Sequence, residues 1–418
     1  MMKIFSLITT LFLALSAMSQ SGKPLDNMVF DDKVRSVQLM KAGTEDRYPI
    51  TTLNSGIQLE LSFDILGSNN EYFQYTLIHC DANWVPTPLN QNEYLKGLTF
   101  DNVTDFKFST NTYVKYVHYS VLLPNENIKP IIAGNYIIKI YRNFDEEDLV
   151  LTRRMMVINP SISIEGNVKP ATLSQYRYTK QELNFTVNYK GFNMPDPYKD
   201  VQVVILQNNK WDNALTGLKP LFINNNTLDY NYFDQTLFEG GNEFRFFDTR
   251  SLRQFSQNVR AKTLDSMYHC YLNYEETRGS KQYFNYIDFN GKRVLSNKDG
   301  NNPPIDGDYA WVTFYLLSLS QLEQDVYVYG ECTDWKLLPE YKMFYNKNRS
   351  RYEVDVLLKQ GRYEYKYAVA TPEGKPDEYQ LEGTYSGAEN EYLILIYHKH
   401  IQFKYDELIG MKMVRTQF

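Results

Sequence analysis

Strict alternation of apolar and polar residues is the feature that most limits what this chain can fold into. In the segment GIQLELSFDIL (56–66), every second residue from Ile57 to Ile65 is apolar, and the residues between them are polar. A spacing of two places the two sets on opposite faces of a β-strand. The segment therefore predicts a strand with one face in a core and the other toward solvent.

The same alternation recurs along the chain, and helical periodicity of useful length is nearly absent. Strands are predicted at 71–80, 113–124, 135–143, 148–160, 183–192, 200–209, 268–276, 310–319, 325–335, 350–370 and 391–400. The segment YDELIGMKMV (405–414) fits either a short helix or a strand. Asn290-Gly291 is the strongest short hairpin signal. Strands of this length and spacing predict an all-β fold of tandem immunoglobulin-like or early-set β-sandwich domains.

The chain is predicted to carry a signal peptide and three domains. Lys3 precedes an apolar run that ends at Leu15, and small residues follow, which predicts a signal peptide at 1–19 cleaved between Ser19 and Gln20. We expect an exported protein without a membrane-spanning helix, because this run is too short to cross a bilayer. The expected domains are 20–159, 160–298 and 299–418. Pro160 opens the second domain, and a segment rich in Gly, Pro, Asn and Asp (296–309) leads into the third.

The segment FEGGNEFRFFDTRSLR (238–253) carries the densest group of charges beside a Gly-Gly pair. A phosphate-binding loop feeds a helix, whereas this pair feeds an aromatic strand, so phosphate binding is excluded. We predict a structural turn, with Asp248 paired to Arg250 or Arg253. A glycosidase carboxylate pair that includes Glu239, Glu243 or Asp248 stays an open alternative.

Other searches for chemistry return no catalytic, cofactor-binding or metal-binding residues. The chain has no G-x-S-x-G, H-E-x-x-H or P-loop motif, and its net charge of −6 offers no basic surface for nucleic acid. His398 and His400 share a strand face, but the sequence shows no third ligand nearby. The three cysteines are interpreted as small buried apolar residues and are Cys80, Cys270 and Cys332.

The third predicted domain resembles the early-set sandwich modules that bind glycogen-like glucans. The matching residues are Gly330, Trp335, Leu358, Gly361, Tyr363, Tyr365 and Lys366. The resemblance implies that Trp335 is a candidate contact for a glycan or a partner. Packing of Trp335 at the end of the sandwich is the other interpretation, and glycan binding is the alternative function for the whole chain.

Three long segments together resemble the plug protein family of the type IX secretion system, once catalogued as a domain of unknown function. They are TLIHCDANWVPTPLNQNEYLKGL (76–98), the segment 238–253 and YVYGECTDW (327–335). The resemblance implies a non-catalytic periplasmic protein of three domains, without cofactors. It would cap the periplasmic opening of a giant outer-membrane β-barrel translocon and seal the idle channel, that is, when the lateral exit of the barrel is not occupied by cargo and a shuttle barrel. The 35 Tyr residues are expected to supply contact area at the surface.

Overall fold

The computed structural model of the chain describes residues 25–400 and 402–416. The predicted signal peptide (1–19) and its cleavage point at Ser19 and Gln20 lie outside the described residues. The described chain is all-β and forms tandem β-sandwiches, which confirms the fold class that the alternation predicts.

The first sandwich is built from the strands between residues 28 and 158. One sheet has the order β1-β12-β11-β5-β7, with β3 added beside β12, and the facing sheet has the order β2-β4-β9-β8. Strands β6 and β10 form a small separate pair. Phe63, Leu77, Tyr119 and Ile138 lie in the core between the two sheets. The strands are β1 Met28–Val29, β2 Val34–Lys41, β3 Ile50–Thr52, β4 Leu59–Leu66, β5 Phe73–Cys80, β6 Leu95–Gly97, β7 Phe100–Asn102, β8 Asp105–Phe108, β9 Tyr116–Leu123, β10 Ile128–Pro130, β11 Gly134–Arg142 and β12 Asp145–Ile158.

The second sandwich begins with seven strands that follow in chain order. They are β13 Ser163–Pro170, β14 Lys180–Asn188, β15 Val201–Gln207, β16 Leu215–Thr216, β17 Phe222–Asn224, β18 Thr227–Asp229 and β19 Leu237–Glu239. One sheet has the order β13-β14-β18-β17, and β19 also pairs with β14. The facing sheet starts from the pair β15 and β16.

The third sandwich occupies the next part of the chain. Its strands are β20 Arg245–Asp248, β21 Val259–Leu264, β22 Tyr268–Leu272, β23 Glu275–Glu276, β24 Arg293–Leu295, β25 Tyr309–Leu317, β26 Val326–Tyr329, β27 Lys342–Asn346, β28 Arg351–Lys359, β29 Gly361–Ala370 and β30 Pro376–Asp377. Eight of them form one continuous path, β20-β29-β26-β27-β28-β25-β22-β21, while β23 pairs with β25 and both β24 and β30 pair with β29. Alternate residues of β28 and β29 contribute to its core, from Tyr352 to Leu358 and from Tyr363 to Val369.

The last two strands, β31 Glu391–His400 and β32 Tyr405–Arg415, return to the second sandwich. Strand β31 pairs with β15 along its length, from Val201 opposite His398 to Gln207 opposite Tyr392. The third sandwich is therefore inserted into the second, and this arrangement differs from the predicted division into 160–298 and 299–418. Strand β20 likewise falls in the range predicted for the second domain but pairs with β29 of the third.

Strand β31 lies between two cores, which explains why its sequence YLILIYH is almost wholly apolar. Ile394 and Ile396 face the core of the second sandwich. Leu393 and Leu395 face a further core that also contains Ile137 of the first sandwich. A strand that is buried on both faces needs a continuous apolar run rather than alternation. The sheet that contains β31 thus joins the first and second sandwiches.

Tyrosine fills the interior more than the surface, contrary to the expectation of surface contact area. Among the described residues, the large side chains with at most 2% exposure include Trp84 and the tyrosines Tyr75, Tyr116, Tyr119, Tyr136, Tyr230, Tyr309, Tyr329, Tyr363, Tyr365, Tyr367, Tyr392 and Tyr397. Many of these hydroxyls donate to groups on distant segments, as Tyr116 does to the carbonyl of Gly307. Such partners allow a polar hydroxyl to be buried.

Helices in the described chain are single turns. The α-helical turns are Gln91–Tyr94, Pro197–Asp200, Pro303–Asp306 and Tyr379–Glu382, and the 3-10 turns are Ser174–Tyr176, Glu331–Thr333, Pro339–Tyr341 and Lys347–Arg349. None of the helices in the described ranges combines the length and the apolar character needed to cross a bilayer. Asn290 and Gly291 adopt the positive φ angles expected of their turn, but the described strands show no hairpin ladder around them.

Candidate functional site

The Gly-Gly pair in the segment 238–253 lies in the link between β19 of the second sandwich and β20 of the third, and residues 240–244 form neither the predicted turn nor a bend. Gly241 has a φ of +67°, in the left-handed region that favours glycine. A Cβ atom on Gly240 would lie 2.0 Å from the carbonyl oxygen of Tyr385. One glycine is therefore required by its backbone angle and the other by the close approach of a neighbouring chain.

The predicted ion pair of this segment joins Asp248 to Arg250 rather than to Arg253. Arg250 Nη2 lies 2.6 Å from Asp248 Oδ2, and the backbone N–H of Arg250 donates to the same carboxylate. This guanidinium and backbone contact hold the pKa of Asp248 below its usual value despite partial burial. Glu239 is paired elsewhere, with Lys180 at 3.0 Å.

Glu243 is a fully buried carboxyl group in a small acidic cluster. It accepts a hydrogen bond from the Tyr283 hydroxyl at 2.5 Å. Burial raises the pKa of Glu243 to about 7, and the neighbouring charge of Asp288 adds to this effect. Burial and the same neighbour raise the pKa of Glu364 to about 8.

These carboxyl groups do not form a glycosidase site. Such a site needs two carboxyl groups that flank a bound sugar. Glu243 and Glu364 have 0% exposure, and Asp248 is held by Arg250. The raised pKa values therefore follow from burial inside the third sandwich and its junction with the second.

Trp335 packs against aromatic side chains at the junction of the sandwiches. Its ring is edge-on to Tyr329 and Phe244, with centroid distances of 5.4 and 5.9 Å. A Cβ atom on Gly291 would lie 2.5 Å from its Cη2 atom. Trp335 borders a cavity of about 420 Å³ that is also lined by Arg153 of the first sandwich. A contact of Trp335 with a glycan or a partner stays a prediction.

The structure agrees with the interpretation of the cysteines and adds a third group to the histidine pair. Cys80, Cys270 and Cys332 are free, and the first two are fully buried, in agreement with their interpretation as small core residues. His398 and His400 do lie together, and the structure adds Glu407 from β32 as the third group that the sequence did not reveal. Glu407 is seven residues from His400 in the sequence, and the pairing of β31 with β32 places it beside the two histidines.

Buried ion pairs connect the three sandwiches, and these pairs were not predicted from the sequence. Lys359 of the third sandwich lies 2.7 Å from Asp64 of the first. Lys210 of the second lies 2.6 Å from Glu378, which also binds Lys366 at 2.7 Å. All five side chains are 6% exposed or less. Buried charges that are paired across a junction hold both sides in one arrangement, since separating them would leave unpaired charges.

An aromatic edge, which we define as residues 98–108 with Phe144, carries five exposed apolar side chains of the first sandwich. Strands β7 and β8 end their respective sheets, and within the described residues neither pairs on its outer side. The exposed apolar side chains of this aromatic edge are Leu98, Phe100, Phe106, Phe108 and Phe144, with exposures from 37% to 68%. Exposed apolar clusters and open strand edges are typical of protein-contact surfaces.

Comparison with known families identifies the relatives of this chain. The family model described as "Type 9 secretion system plug protein 1st domain" matches residues 34–159. The chain belongs to the type 9 secretion system plug protein family. The matched range covers most of the first sandwich, including the aromatic edge, and confirms the resemblance carried by its segment 76–98.

One solved structure is similar to this plug-family protein over all three sandwiches. The crystal structure of a hypothetical protein from Parabacteroides merdae is 30% identical, with a TM-score of 0.90. The alignment covers 94% of this chain and 100% of that one. No curated protein matches the plug-family protein.

Proposed function

We propose that this protein caps the periplasmic opening of the outer-membrane β-barrel translocon of the type IX secretion system and keeps the idle channel sealed. The observation that carries the proposal is the match of the first sandwich to the plug protein family. The role is mechanical and non-catalytic, and the protein acts in the periplasm at the inner side of the outer membrane. A wide channel for folded cargo leaks unless a body of fixed shape blocks it.

The junctions between sandwiches support this role because they give the chain a fixed shape. Linked domains with small polar interfaces move relative to each other by default. Here the sheet of β15 and β31 contributes to cores on both of its faces. The pairs Lys359–Asp64 and Lys210–Glu378 add buried charges across two junctions. A body held in this way resists deformation when it closes an opening.

The aromatic edge is the surface that we assign to contact with the translocon. Its open strands β7 and β8 offer unpaired backbone groups, and an extended segment of a partner can add to such an edge. Phe106 and Phe108 are exposed at this edge and supply apolar area beside the backbone hydrogen bonds. Aromatic side chains of this kind carry much of the binding energy of protein interfaces.

The assignment is tested by co-purification of the translocon with tagged protein from detergent-solubilised outer membranes. The double variant Phe106→Ser, Phe108→Ser is compared with Phe344→Ser, which changes an exposed Phe on β27 of the third sandwich. We expect the wild type and the Phe344 variant to recover the barrel in equal amounts. The double variant should recover at least about tenfold less, which corresponds to the loss of about 1.4 kcal/mol.

Two results bear against the assignment. If all three proteins recover the barrel equally while far-ultraviolet circular dichroism shows intact folds, another surface makes the contact. If none recovers it, capping of this barrel is itself contradicted. A glycan array with the same purified proteins addresses the alternative function directly.

A further inference from the structure

The hairpin of β31 and β32 brings two imidazoles and a carboxylate together at its closed end. His398 lies directly opposite Glu407 in the strand register, and His400 is two residues farther along the same strand. Each of the three residues offers a ligand atom within 4.8 Å of the others. Two histidines and one glutamate form a ligand set that binds Zn²⁺ in proteins, with one position left for water.

The polar atoms of this cluster are only partly satisfied by the protein. His400 Nε2 lies 2.7 Å from Glu407 Oε2. His398 is 91% buried, and its Nδ1 atom has no hydrogen-bond partner in the structure. A buried ring nitrogen without a partner is rare, because the loss of its contacts with water is not repaid. A metal ion bound through Nδ1 of His398 would give that atom a partner.

Surrounding groups hold the three side chains in place. Asn159 Nδ2 donates to Glu407 Oε1 at 2.8 Å and so leaves Oε2 toward the histidines. The His398 ring packs edge-on against Phe192 at 5.1 Å, and the His400 ring stacks on Tyr405 at 4.7 Å. Hydrogen bonds and packing behind the ligands are usual around metal centres, where they fix ligand orientation.

The ligand types of the cluster favour a transition metal. Imidazole and carboxylate together suit zinc and its neighbours in the transition series better than magnesium or calcium.

We propose that His398, His400 and Glu407 bind one divalent transition-metal ion of the zinc class. The ion would cross-link β31 to β32 at the end of the hairpin that meets the first sandwich. There Asp406 accepts a hydrogen bond from the backbone N–H of Ala82 at 3.0 Å. Tyr405 contacts His79 in the same region, with ring centroids 5.8 Å apart. The bound ion therefore stabilises the junction of the first and second sandwiches.

The test uses the full mature chain without an affinity tag, stripped of metal and titrated with Zn²⁺ by calorimetry. We expect one Zn²⁺ per chain and a rise in the unfolding temperature on binding. His400→Ala and Glu407→Gln should lose this binding, since each removes a ligand. Asn159→Ala should weaken it by about 10- to 100-fold, the usual effect of losing an outer hydrogen bond. His269→Ala, in the third sandwich, should bind as the wild type does.

His398 is buried, so its substitution serves only as a secondary variant. The side chains of His400 and Glu407 are 25% and 13% exposed, and their variants are checked for native circular dichroism without metal. The proposal is overturned if the wild type shows no saturable binding of Zn²⁺. It is also overturned if His400→Ala and Glu407→Gln bind Zn²⁺ as the wild type does, or if Mg²⁺ binds equally well.

Discussion

Lys359 Nζ lies 2.7 Å from Asp64 Oδ2, and this contact joins residues that are 295 positions apart. The two side chains are 4% and 1% exposed, and Tyr309 donates to the same carboxylate oxygen at 2.7 Å. Asp64 lies on the polar face of β4, the face predicted to contact solvent. That face is instead covered by the third sandwich, so its polarity serves a junction between sandwiches.

Replacement of Lys359 by Met should destabilise the protein by about 3–5 kcal/mol, because Asp64 would stay buried without the ammonium group and keep only Tyr309 and His118 as partners. The additional change of Asp64 to Asn should restore part of this loss, since the uncompensated charge is gone. Chemical denaturation followed by circular dichroism measures both effects.

The control for this pair is Lys342→Met, which breaks the exposed pair of Lys342 with Asp325 on the third sandwich. It should change the free energy of unfolding by less than about 1 kcal/mol. Equal losses in the Lys359 and Lys342 variants would show that the buried pair does not stabilise the junction.

The buried carboxyl of Glu243 should make stability fall as pH rises. The pKa of Glu243 is about 7 in the folded protein, against 4.5 for an ordinary Glu. Its protonated form therefore contributes stability below pH 4.5, and that contribution is lost as pH rises through 7. Compared with Glu243→Gln, the wild type should lose stability progressively across this window. Denaturation midpoints at several pH values test the sign, and parallel profiles for the two proteins would contradict it.

The alternation of side chains was enough to predict most strands and the all-β fold class. It did not reveal that β31 pairs with β15, because periodicity shows which residues face a core but not which strand lies beside them. The apolar run from Tyr392 to Tyr397 in β31 carried the available signal, because it is typical of a strand covered on both faces. For the same reason the sequence placed Asp64 on a face toward solvent, and Glu407 could not be placed beside His398 and His400.

Trp335 should contribute to the stability of the fold rather than bind a glycan. Its ring packs on Tyr329, Phe244 and Gly291, so Trp335→Ala should destabilise the protein by about 2–4 kcal/mol. Trp335→Phe keeps an aromatic ring and should lose less. A soluble glucan added at millimolar concentration should leave the unfolding temperature of the wild type unchanged. A rise that disappears in Trp335→Ala would instead support a glycan site.

Asp248 should contribute through its contact with Arg250 alone. Loss of this hydrogen-bonded carboxylate in Asp248→Ala should destabilise the third sandwich by about 1–3 kcal/mol. Arg253→Ala should have little effect, because Asp248 binds the guanidinium of Arg250 instead. The two variants are compared by thermal unfolding, and a larger loss for Arg253 would contradict this assignment.

The capping role is tested most directly by the permeability of cells to a large dye or antibiotic that the intact outer membrane excludes. The gene is deleted in a strain that also lacks the shuttle barrel at the translocon's lateral exit, since an occupied exit would hide a leak. We predict that the double deletion admits the compound, that the wild-type gene restores the barrier, and that the variant Phe106→Ser, Phe108→Ser does not. Unchanged permeability in the double deletion, with the barrel present in the membrane, would contradict the capping role.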